Sequence, residues 1–274
     1  MTLLITGAKG QLGTVLRSLF PDAVAADKSD LDITDGDAVN IFVKEYKIDT
    51  VINCAAYTAV DLAEDEYATA EKVNVLGPLN LSKSVRRIIH ISTDYVFDGS
   101  GGRPYVEDDK PNPLSIYGKT KWLGENAVLM NAECGAVIRA SWLYSPYGSN
   151  FVKTIMKLGK ERDSLNVVFD QVGTPTCADD LAAVIRTILF EMNENTVKLY
   201  HFSNEGVCSW YDFARTILKI SKSNCHVNPI RSSEYPTKAV RPSYSVLDKG
   251  LIKNDFGISI NHWEESLEKC LKQF

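Results

Sequence analysis

The start of the chain places a glycine-rich loop between an apolar run and a segment with helical spacing. Leu3-Leu4-Ile5 is typical of a short buried strand, and apolar residues recur at helical spacing over 12–19. Between them lies Gly7-x-x-Gly10-x-x-Gly13, in which glycines permit a tight turn, close approach of a dinucleotide pyrophosphate and close helix–strand packing. The alternative is a glycine-rich turn without a ligand. We predict a cofactor loop, with contacts from Gly7, Gly10, Gln11, Leu12 and Gly13.

Strand and helix patterns alternate through the first two thirds of the chain. Further strands are predicted at 23–26, 49–56, 87–92 and 135–140, and helices at about 35–46, 67–85 and 117–129. The run 49–56 is largely apolar, which is typical of a strand whose two faces are both covered. This alternation predicts βαβ units and an α/β fold with a Rossmann-like, doubly wound parallel sheet.

Beyond Trp142 the alternation loosens, and we predict a smaller mixed α/β lobe. Helices are predicted at 151–160, 179–192, 210–221 and 262–271, strands at 165–170 and 198–203, and an extended proline-containing loop at 228–248. We assign residues 1–141 to a dinucleotide-binding domain, to which 165–192 returns, and residues 142–164 and 193–274 to a substrate-binding lobe. This lobe is expected at the carboxyl ends of the sheet strands, where open α/β folds place their ligands.

Composition and charge narrow the classes of partner. The chain has a net charge of −5 with interspersed signs, so nucleic acid binding through a basic stripe is not expected. Its apolar runs are too short to span a bilayer, and Met1-Thr2 leads directly into the first strand without a basic leader, which predicts a cytoplasmic protein. Six scattered cysteines lack a C-x-x-C motif and four histidines are dispersed, so neither a metal site nor a disulfide framework is predicted.

A candidate catalytic group combines a threonine at a strand end with a tyrosine and a lysine on the next helix. Tyr117 and Lys121 are four residues apart, so a helix places both side chains on one face, where an ammonium would lower the pKa of the phenol from about 10. A pair at this spacing is expected by chance in a chain with 12 tyrosines, and an exposed helix pair is the alternative. Thr93, at the carboxyl end of the fourth strand, favours carbonyl reduction. Thr93 would hold the carbonyl oxygen, Tyr117 would donate the proton, and Lys121 would tune that acid and anchor the nicotinamide ribose.

The residues after the second strand bear on the cofactor. Asp27 ends that strand, where a carboxylate accepts hydrogen bonds from a ribose 2′-hydroxyl and repels a 2′-phosphate. This favours NADH over NADPH, although the adjacent Lys28 weakens the preference. The G-x-x-G-x-x-G spacing resembles that of the extended short-chain dehydrogenase/reductase superfamily, in which the positions of Asp32 and Ile33 contact the adenine ring. A helix cap is an equal alternative for Asp32.

Several further blocks resemble the dTDP-4-dehydrorhamnose reductase family, and the likeness covers essentially the whole chain. The blocks are Asn53-Cys54-Ala55-Ala56-Tyr57-Thr58-Ala59-Val60-Asp61, Ser92-Thr93-Asp94-Tyr95-Val96-Phe97-Asp98-Gly99, Tyr117-Gly118-Lys119-Thr120-Lys121, Arg139-Ala140-Ser141-Trp142-Leu143-Tyr144, Asn150-Phe151-Val152-Lys153-Thr154, Asp170-Gln171-Val172-Gly173-Thr174-Pro175-Thr176 and Arg241-Pro242, and the likeness continues to Trp263. The resemblance implies reduction of the 4-keto group of dTDP-4-dehydro-L-rhamnose to dTDP-L-rhamnose with NADPH or NADH, a step in rhamnose precursor synthesis for surface polysaccharide.

The resemblance also implies a set of site residues. Those implied to contact the cofactor are Ala55, Ala56, Tyr57, Thr58, Asn74, Ser92, Tyr117 and Lys121. Tyr95 and Trp142 would line the sugar pocket, with a core tryptophan as the alternative for Trp142. Asn150, Gln171 and Arg241 are candidates for the nucleotide–diphosphate end of the substrate, and Arg241 would pair with the diphosphate or tie down its proline-rich loop.

Two departures from the family pattern affect what carries over. Some members have a glutamate two residues after the third glycine that serves a metal-bridged dimer, and Val15 stands there in this chain. A homodimer is compatible with the sequence, and Val15 argues against this mode of forming it. The segment 74–92 is a few residues shorter than usual, and the helix before Arg86-Arg87 has no glycine to end it.

Three other functions compete with this reading. The methionine adenosyltransferase beta subunit resembles these reductases but serves as a regulatory, non-catalytic partner. The same chemistry on another nucleotide-linked keto sugar is a second alternative. An epimerase or dehydratase fits less well, because Thr93 is followed by Asp94-Tyr95 and lacks the Asp-Glu pair that dehydratases use.

Overall fold

A computed structural model of the chain describes residues 1–192 and 195–274. Its strands are β1 (Leu3–Thr6), β2 (Val24–Ala26), β3 (Thr50–Asn53), β4 (Arg87–Thr93), β5 (Cys134–Ala140), β6 (Leu143–Tyr144), β7 (Ser164–Val168), β8 (Val172–Gly173), β9 (Thr176–Cys177), β10 (Val197–Phe202), β11 (Cys208–Ser209) and β12 (His226–Ile230). Its helices are α1 (Gln11–Leu19), α2 (Gly36–Glu45), α3 (Val60–Ala63), α4 (Tyr67–Glu71), α5 (Gly77–Ser84), α6 (Ile116–Asn131), α7 (Phe151–Glu161), α8 (Ala178–Glu191), α9 (Trp210–Ile220), α10 (Gly250–Phe256) and α11 (Trp263–Leu271). Over these residues, no helix has both the length and the apolar character that a membrane span requires.

The main sheet has six parallel strands in the order β10-β5-β4-β3-β1-β2. This confirms the predicted α/β fold with a doubly wound parallel sheet. The strand order reverses at β1, because β2 lies on one side of it and β3 on the other. In open α/β sheets the crevice at such a reversal, outside the carboxyl ends of the strands, is where ligands bind.

Successive side chains of the strands point to opposite faces of the sheet, and different helices cover each face. Ile5 and Ile52 belong to a core with residues of α1 and α8, whereas Leu4 and Val51 belong to a core with residues of α2, α5 and α6. Val15, which replaces the family glutamate, is buried in the first of these cores. This position therefore faces the interior of the described chain rather than its surface.

The smaller lobe has its own core, and its strands form separate two-stranded ladders. β7 pairs in parallel with β12, β6 with β9, and β8 pairs antiparallel with β11. Their apolar side chains pack with helices α7, α9 and α11 around Phe213 and Trp263. The lobe is thus held together by residues from well-separated parts of the chain.

The structure places two strands in a different domain from the one that the sequence predicted. Residues 197–202 were assigned to the lobe, but β10 forms the edge of the main sheet and pairs with β5 from Gly135 to Ala140. Residues 165–168 were assigned to the dinucleotide-binding domain, but β7 pairs with β12 in the lobe. Both differences arise because strand partners far apart in sequence leave no local signal. The predicted lobe boundary at residue 193 lies outside the described residues, and the remaining division stays a prediction.

The sequence predicted an extended loop over the proline-containing segment 228–248. In the structure only part of this segment is a loop. Its first residues belong to β12, where Pro229 lies opposite Val167. A two-stranded ladder tolerates proline because the missing N–H can fall on an open edge. A short 3-10 helix (Ser232–Glu234) follows, and residues 235–249 are irregular.

The predicted helix 67–85 contains a turn of π-helix (Lys72–Leu76) between α4 and α5 and ends at Ser84. The conformation of the next residue explains why this helix ends without a glycine. Val85 takes an extended backbone conformation and buries its side chain in the core. The Ser84 hydroxyl donates to the carbonyl oxygen of Asn80 within the last turn of the helix, and the Val85 backbone nitrogen donates to the Leu81 carbonyl oxygen. The strand β4 then begins two residues later at Arg87.

Candidate active site

The predicted cofactor loop joins β1 to α1 where the strand order reverses. Gly7 has a φ of +62°, and a Cβ added to it would lie 2.8 Å from the backbone nitrogen of Ala55. A Cβ on Gly13 would lie 2.2 Å from the carbonyl oxygen of Gly7. Side chains at these positions would collide with backbone atoms. The loop therefore presents backbone at the amino terminus of α1, which is the arrangement that binds a pyrophosphate.

The first residues of α1 divide between the cleft and the core. The Oε1 atom of Gln11 accepts hydrogen bonds from Asn150 Nδ2 at 2.9 Å and from Ser145 Oγ at 3.2 Å. Leu12 is buried in the core, so only its backbone amide can serve a ligand. Asn150 Oδ1 accepts from the backbone nitrogen of Lys153 and caps α7. The structure thus places Asn150 against the cofactor loop, whereas we predicted it for the nucleotide end of the substrate.

The acidic residues predicted to contact the adenosine half follow β2. Asp27 is half-buried, and its Oδ1 atom accepts from the backbone nitrogen of Lys28. Asp32 accepts hydrogen bonds from the backbone and hydroxyl of Thr34, and these bonds lower the pKa of the Asp32 carboxyl. The residue that caps α2 is Asp35. Ile33 is buried in the core. Asp32 therefore forms a turn ahead of the helix, and its contact with adenine stays a prediction.

Two buried asparagines hold the segment 55–58 at the carboxyl end of β3. Asn53 Oδ1 accepts from the backbone nitrogen of Ala55 at 3.2 Å and from Thr6 Oγ1 at 2.7 Å. Asn74, in the π-turn, accepts from the Tyr57 nitrogen at 2.8 Å and donates to the Tyr57 carbonyl at 3.2 Å. Its side chain is fully buried, so the structure gives Asn74 a supporting position where direct cofactor contact was predicted. The predicted contacts Ala55, Ala56 and Tyr57 are half-buried and Thr58 is exposed.

The three predicted catalytic residues come together at the carboxyl end of β4. Thr93 is the last residue of that strand, and its hydroxyl, which donates to Asp94 Oδ1 at 3.1 Å, lies within hydrogen-bonding reach of the phenol of Tyr117 on α6. One helical turn further on, the buried Lys121 donates from Nζ to the carbonyl oxygen of Ile91 at 2.6 Å. Close packing of α6 makes this possible, because a Cβ on Gly118 would lie 2.2 Å from the Tyr95 carbonyl oxygen.

Burial dominates the proton affinities of this group. It raises the pKa of Tyr117 to about 12, with a partial offset from the Thr93 hydrogen bond and a further rise from the Asp94 carboxylate. It lowers the pKa of Lys121 to about 8, against the opposing charges of Glu125 and Cys54. The pKa of Tyr117 is thus shifted upward and not, as predicted, downward, because desolvation of the phenolate is the largest cause of the shift. A phenol with a raised pKa is protonated at neutral pH, which is the form that donates a proton.

A buried ion pair supports the catalytic group from below. Glu125 accepts from Arg139 Nε at 2.9 Å and from Arg139 Nη2 at 2.8 Å, and both side chains are at most 2% exposed. Ser92, predicted to contact the cofactor, donates its hydroxyl to Glu125. Sequence analysis missed Glu125, although its position four residues after Lys121 places both on one helix face. Removing either partner of such a pair would leave an uncompensated buried charge.

An aromatic and charged group lies beside the catalytic group. The rings of Tyr95 and Tyr117 meet edge to face with 5.7 Å between centroids. Arg241 lies beside the Tyr95 phenol and pairs with Asp61 through Nη2 at 2.7 Å and Nη1 at 3.3 Å. Burial raises the pKa of Tyr95, and the nearby Arg241 partly opposes that rise. Sequence analysis missed the role of Asp61, which nevertheless lies within one of the blocks that resemble the family.

The other predicted substrate residues lie in the lobe. Trp142 has a φ of +48° and stacks on Trp210, with 3.5 Å between ring centroids and 9° between planes. Gly173 permits this position, since a Cβ there would lie 2.8 Å from the Trp142 ring. Trp142 is half-buried, so one part of its ring remains accessible. Gln171 donates to Ser232 Oγ at 3.0 Å within the lobe.

These groups fit a dinucleotide and a carbonyl substrate. The glycine loop, the segment 55–58 and the Thr93–Tyr117 pair occupy the carboxyl ends of β1, β3 and β4, which are neighbours in the sheet. The glycines allow a tight turn between β1 and α1, and the amino terminus of α1 that follows is an arrangement that binds phosphates. A protonated phenol and a hydroxyl then face the place where a carbonyl oxygen would be held.

Comparison with known proteins agrees with this geometry. A family model described as the RmlD substrate binding domain matches residues 1–274. A dTDP-4-dehydrorhamnose reductase from Aggregatibacter actinomycetemcomitans is 43% identical over 284 residues, which cover 97% of this chain and 97% of that protein. The crystal structure of a dTDP-4-dehydrorhamnose reductase from Clostridium acetobutylicum has a TM-score of 0.96 and 43% identity, and the match covers 100% of this chain and 99% of that one. The enzyme of the same name from Bacillus anthracis, solved with NADP, has a TM-score of 0.95 and 37% identity over 100% of both chains. This chain therefore belongs to the dTDP-4-dehydrorhamnose reductase family.

Proposed function

We propose that this protein reduces the 4-keto group of dTDP-4-dehydro-L-rhamnose to dTDP-L-rhamnose with NADPH or NADH. The observation that carries the proposal is the contact of Thr93 with Tyr117 at the carboxyl end of β4, beside a glycine loop shaped for a dinucleotide. Family membership adds support, because relatives of similar length carry this name.

The cofactor is expected to lie along the glycine loop, with its pyrophosphate at the amino terminus of α1 and its nicotinamide end toward Tyr117 and Lys121. When bound, NADPH or NADH supplies the hydride for the reduction. Gly7 and Gly13 allow the tight turn that precedes the amino terminus of α1, and the half-buried segment 55–57 lines the path between the two ends.

Residues of the chain bind the carbonyl oxygen and protonate it. Thr93 donates a hydrogen bond to it and so stabilises the negative charge that develops as the carbonyl is reduced. Tyr117 then transfers its phenolic proton to that oxygen, which gives the alcohol and leaves a phenolate. Lys121 stabilises the phenolate electrostatically and holds the ribose of the cofactor. Tyr95 and Trp142 bind the sugar, while Arg241 pairs with the diphosphate.

The direct test mixes the purified protein with NADPH or NADH and dTDP-4-dehydro-L-rhamnose and follows loss of the reduced nicotinamide. We expect turnover with at least one cofactor and formation of dTDP-L-rhamnose as product. A parallel reaction with another nucleotide-linked keto sugar separates the proposed substrate from its nearest competitor. Absence of turnover with either cofactor, together with tight binding of a partner protein, would instead support the regulatory-subunit alternative.

The remaining expectations concern the protein's setting. The family implies a nucleotide-sugar substrate, and we propose that the enzyme acts in the cytoplasm. A homodimer is also proposed, without the metal bridge, because the position of that bridging glutamate is the buried Val15. Sedimentation equilibrium with and without a chelator would test both statements, since the proposal requires a dimer that the chelator leaves intact.

A further inference from the structure

A segment that precedes α10, which we call the strap, passes beside Tyr95, and Asp61 holds its first part. The strap comprises residues 237–245. Asp61, at the start of α3, accepts hydrogen bonds from the Ala239 nitrogen at 3.0 Å and from two nitrogens of Arg241. Further along the strap, Ser243 Oγ donates to the Gly99 carbonyl oxygen at 3.1 Å. The strap therefore joins the loop after β3, which carries the cofactor segment 55–58, to the loop after β4.

We propose that Asp61 is a positioning residue that fixes Arg241 for the diphosphate of the substrate. This inference rests on the proposed function and names a residue that acts through Arg241 rather than on the substrate itself. The paired carboxylate holds both ends of the guanidinium fork, which sets its plane as well as its position. The same guanidinium lies beside Tyr95, whose ring meets that of Tyr117.

The hydrogen-bond capacity of Arg241 leaves room for this role. A guanidinium has five N–H donors. Two go to Asp61, and a third lies 3.4 Å from the Ala239 carbonyl oxygen. The other two are available to the Tyr95 phenol and to a phosphate oxygen. Without Asp61, the arginine side chain would regain rotamer freedom that substrate binding must then remove.

The exposure of the pair argues against a purely structural role. Asp61 is 44% exposed and Arg241 22% exposed, so the pair is partly solvated. Exposed ion pairs contribute little to stability. The structure also supplies a matched control, since Lys238 on the strap pairs with Asp65 just after α3, and both side chains are at least half exposed. This second pair joins the same two segments without involving Arg241.

The test compares steady-state constants of Asp61→Ala and Asp65→Ala. For Asp61→Ala we expect the KM for the sugar nucleotide to rise about tenfold, as loss of a charged hydrogen bond predicts, with kcat and the KM for NADPH nearly unchanged. Asp65→Ala should match the wild type. Asp61→Asn, which keeps the shape, should give a smaller rise in the same direction and serves if the alanine variant folds poorly.

Two double variants distinguish positioning of Arg241 from a merely structural link between the strap and α3. If Asp61 acts through Arg241, the double variant Asp61→Ala/Arg241→Ala should have the same KM as Arg241→Ala alone. The charge exchange Asp61→Arg/Arg241→Asp should restore the tie but not the KM. A rescued KM in the exchange variant, an unchanged or lowered KM in Asp61→Ala, or equal effects of Asp61→Ala and Asp65→Ala would overturn the inference. Failure of the proposed function would appear differently, as a wild type without turnover.

Discussion

The Nζ atom of Lys121 lies 2.6 Å from the carbonyl oxygen of Ile91, two residues before the end of β4. This bond ties the catalytic helix α6 to the strand that ends at Thr93. It fixes the distance between the phenol of Tyr117, one turn earlier on the helix, and the threonine hydroxyl. Because Lys121 is only 2% exposed, its ammonium is poorly solvated. Poor solvation strengthens the electrostatic effect of the charge on its neighbours and also makes the ammonium easier to deprotonate.

The charge of Lys121 should make cofactor binding sensitive to pH. Burial lowers its pKa to about 8, so the ammonium is present below that pH and is lost as pH rises through it. We expect the KM for NADPH to rise above about pH 8 in the wild type, and no such rise in Lys121→Met, whose KM is high throughout. The measurement is the pH profile of the NADPH KM. Lys119→Met, which changes an exposed lysine of the same helix, should retain the wild-type profile. A Lys121→Met profile that still rises near pH 8 would assign the transition to another group.

Asp94 should cost stability when it is ionised. Burial raises its pKa to about 6, and its Oδ2 atom has no hydrogen-bond partner among the described residues. The folded-state pKa exceeds the unfolded value near 4, so protonation favours the folded state and stability falls as pH rises from about 4 through about 6. Asp94→Asn stays neutral at every pH. It should be roughly 2–3 kcal/mol more stable than the wild type at neutral pH, with the difference vanishing near pH 4. Urea unfolding at the two pH values measures this, and a difference of equal size at both would refute the explanation.

Asn150 should affect the cofactor rather than the substrate. Its amide donates to Gln11 on the cofactor loop, while its carbonyl oxygen caps α7. Asn150→Ser keeps a good N-cap but cannot reach Gln11. We expect about a fivefold rise in the KM for NADPH, from loss of the hydrogen bond to Gln11, with the sugar-nucleotide KM unchanged. The opposite pattern, a raised substrate KM alone, would return Asn150 to the nucleotide end of the substrate.

Much of the fold follows from local sequence patterns. The parts that local patterns did not predict depend on pairing between distant segments. The glycine loop, the apolar strand runs and the helical spacing were enough to predict the parallel sheet, because each signal lies within one βαβ unit. The placement of β10 was missed because its partner β5 lies about sixty residues away and could only be chosen in three dimensions. The strand β12 was hidden by Pro229, which usually argues against a strand.

The site residues likewise divide into those that local patterns predict and those whose properties depend on the folded chain. Thr93, Tyr117 and Lys121 were identified because strand ends and helical spacing place them together. The proton affinity of Tyr117 was predicted in the wrong direction, because burial is a property of the folded chain. Asp61 and Arg241 are 180 residues apart, so no spacing rule connects them, and only the folded structure shows their contact.

The central claim is that Tyr117 donates the proton during reduction of the keto sugar. In Tyr117→Phe the ring still packs against Tyr95, but the group that delivers the proton is gone. The decisive measurement is kcat for NADPH oxidation with dTDP-4-dehydro-L-rhamnose, together with the dissociation constant of NADPH for the same preparations. We predict that Tyr117→Phe lowers kcat by about 10²–10⁴-fold and changes NADPH affinity less than about twofold. Turnover within a few-fold of the wild type, or loss of NADPH binding in place of turnover, would contradict the account.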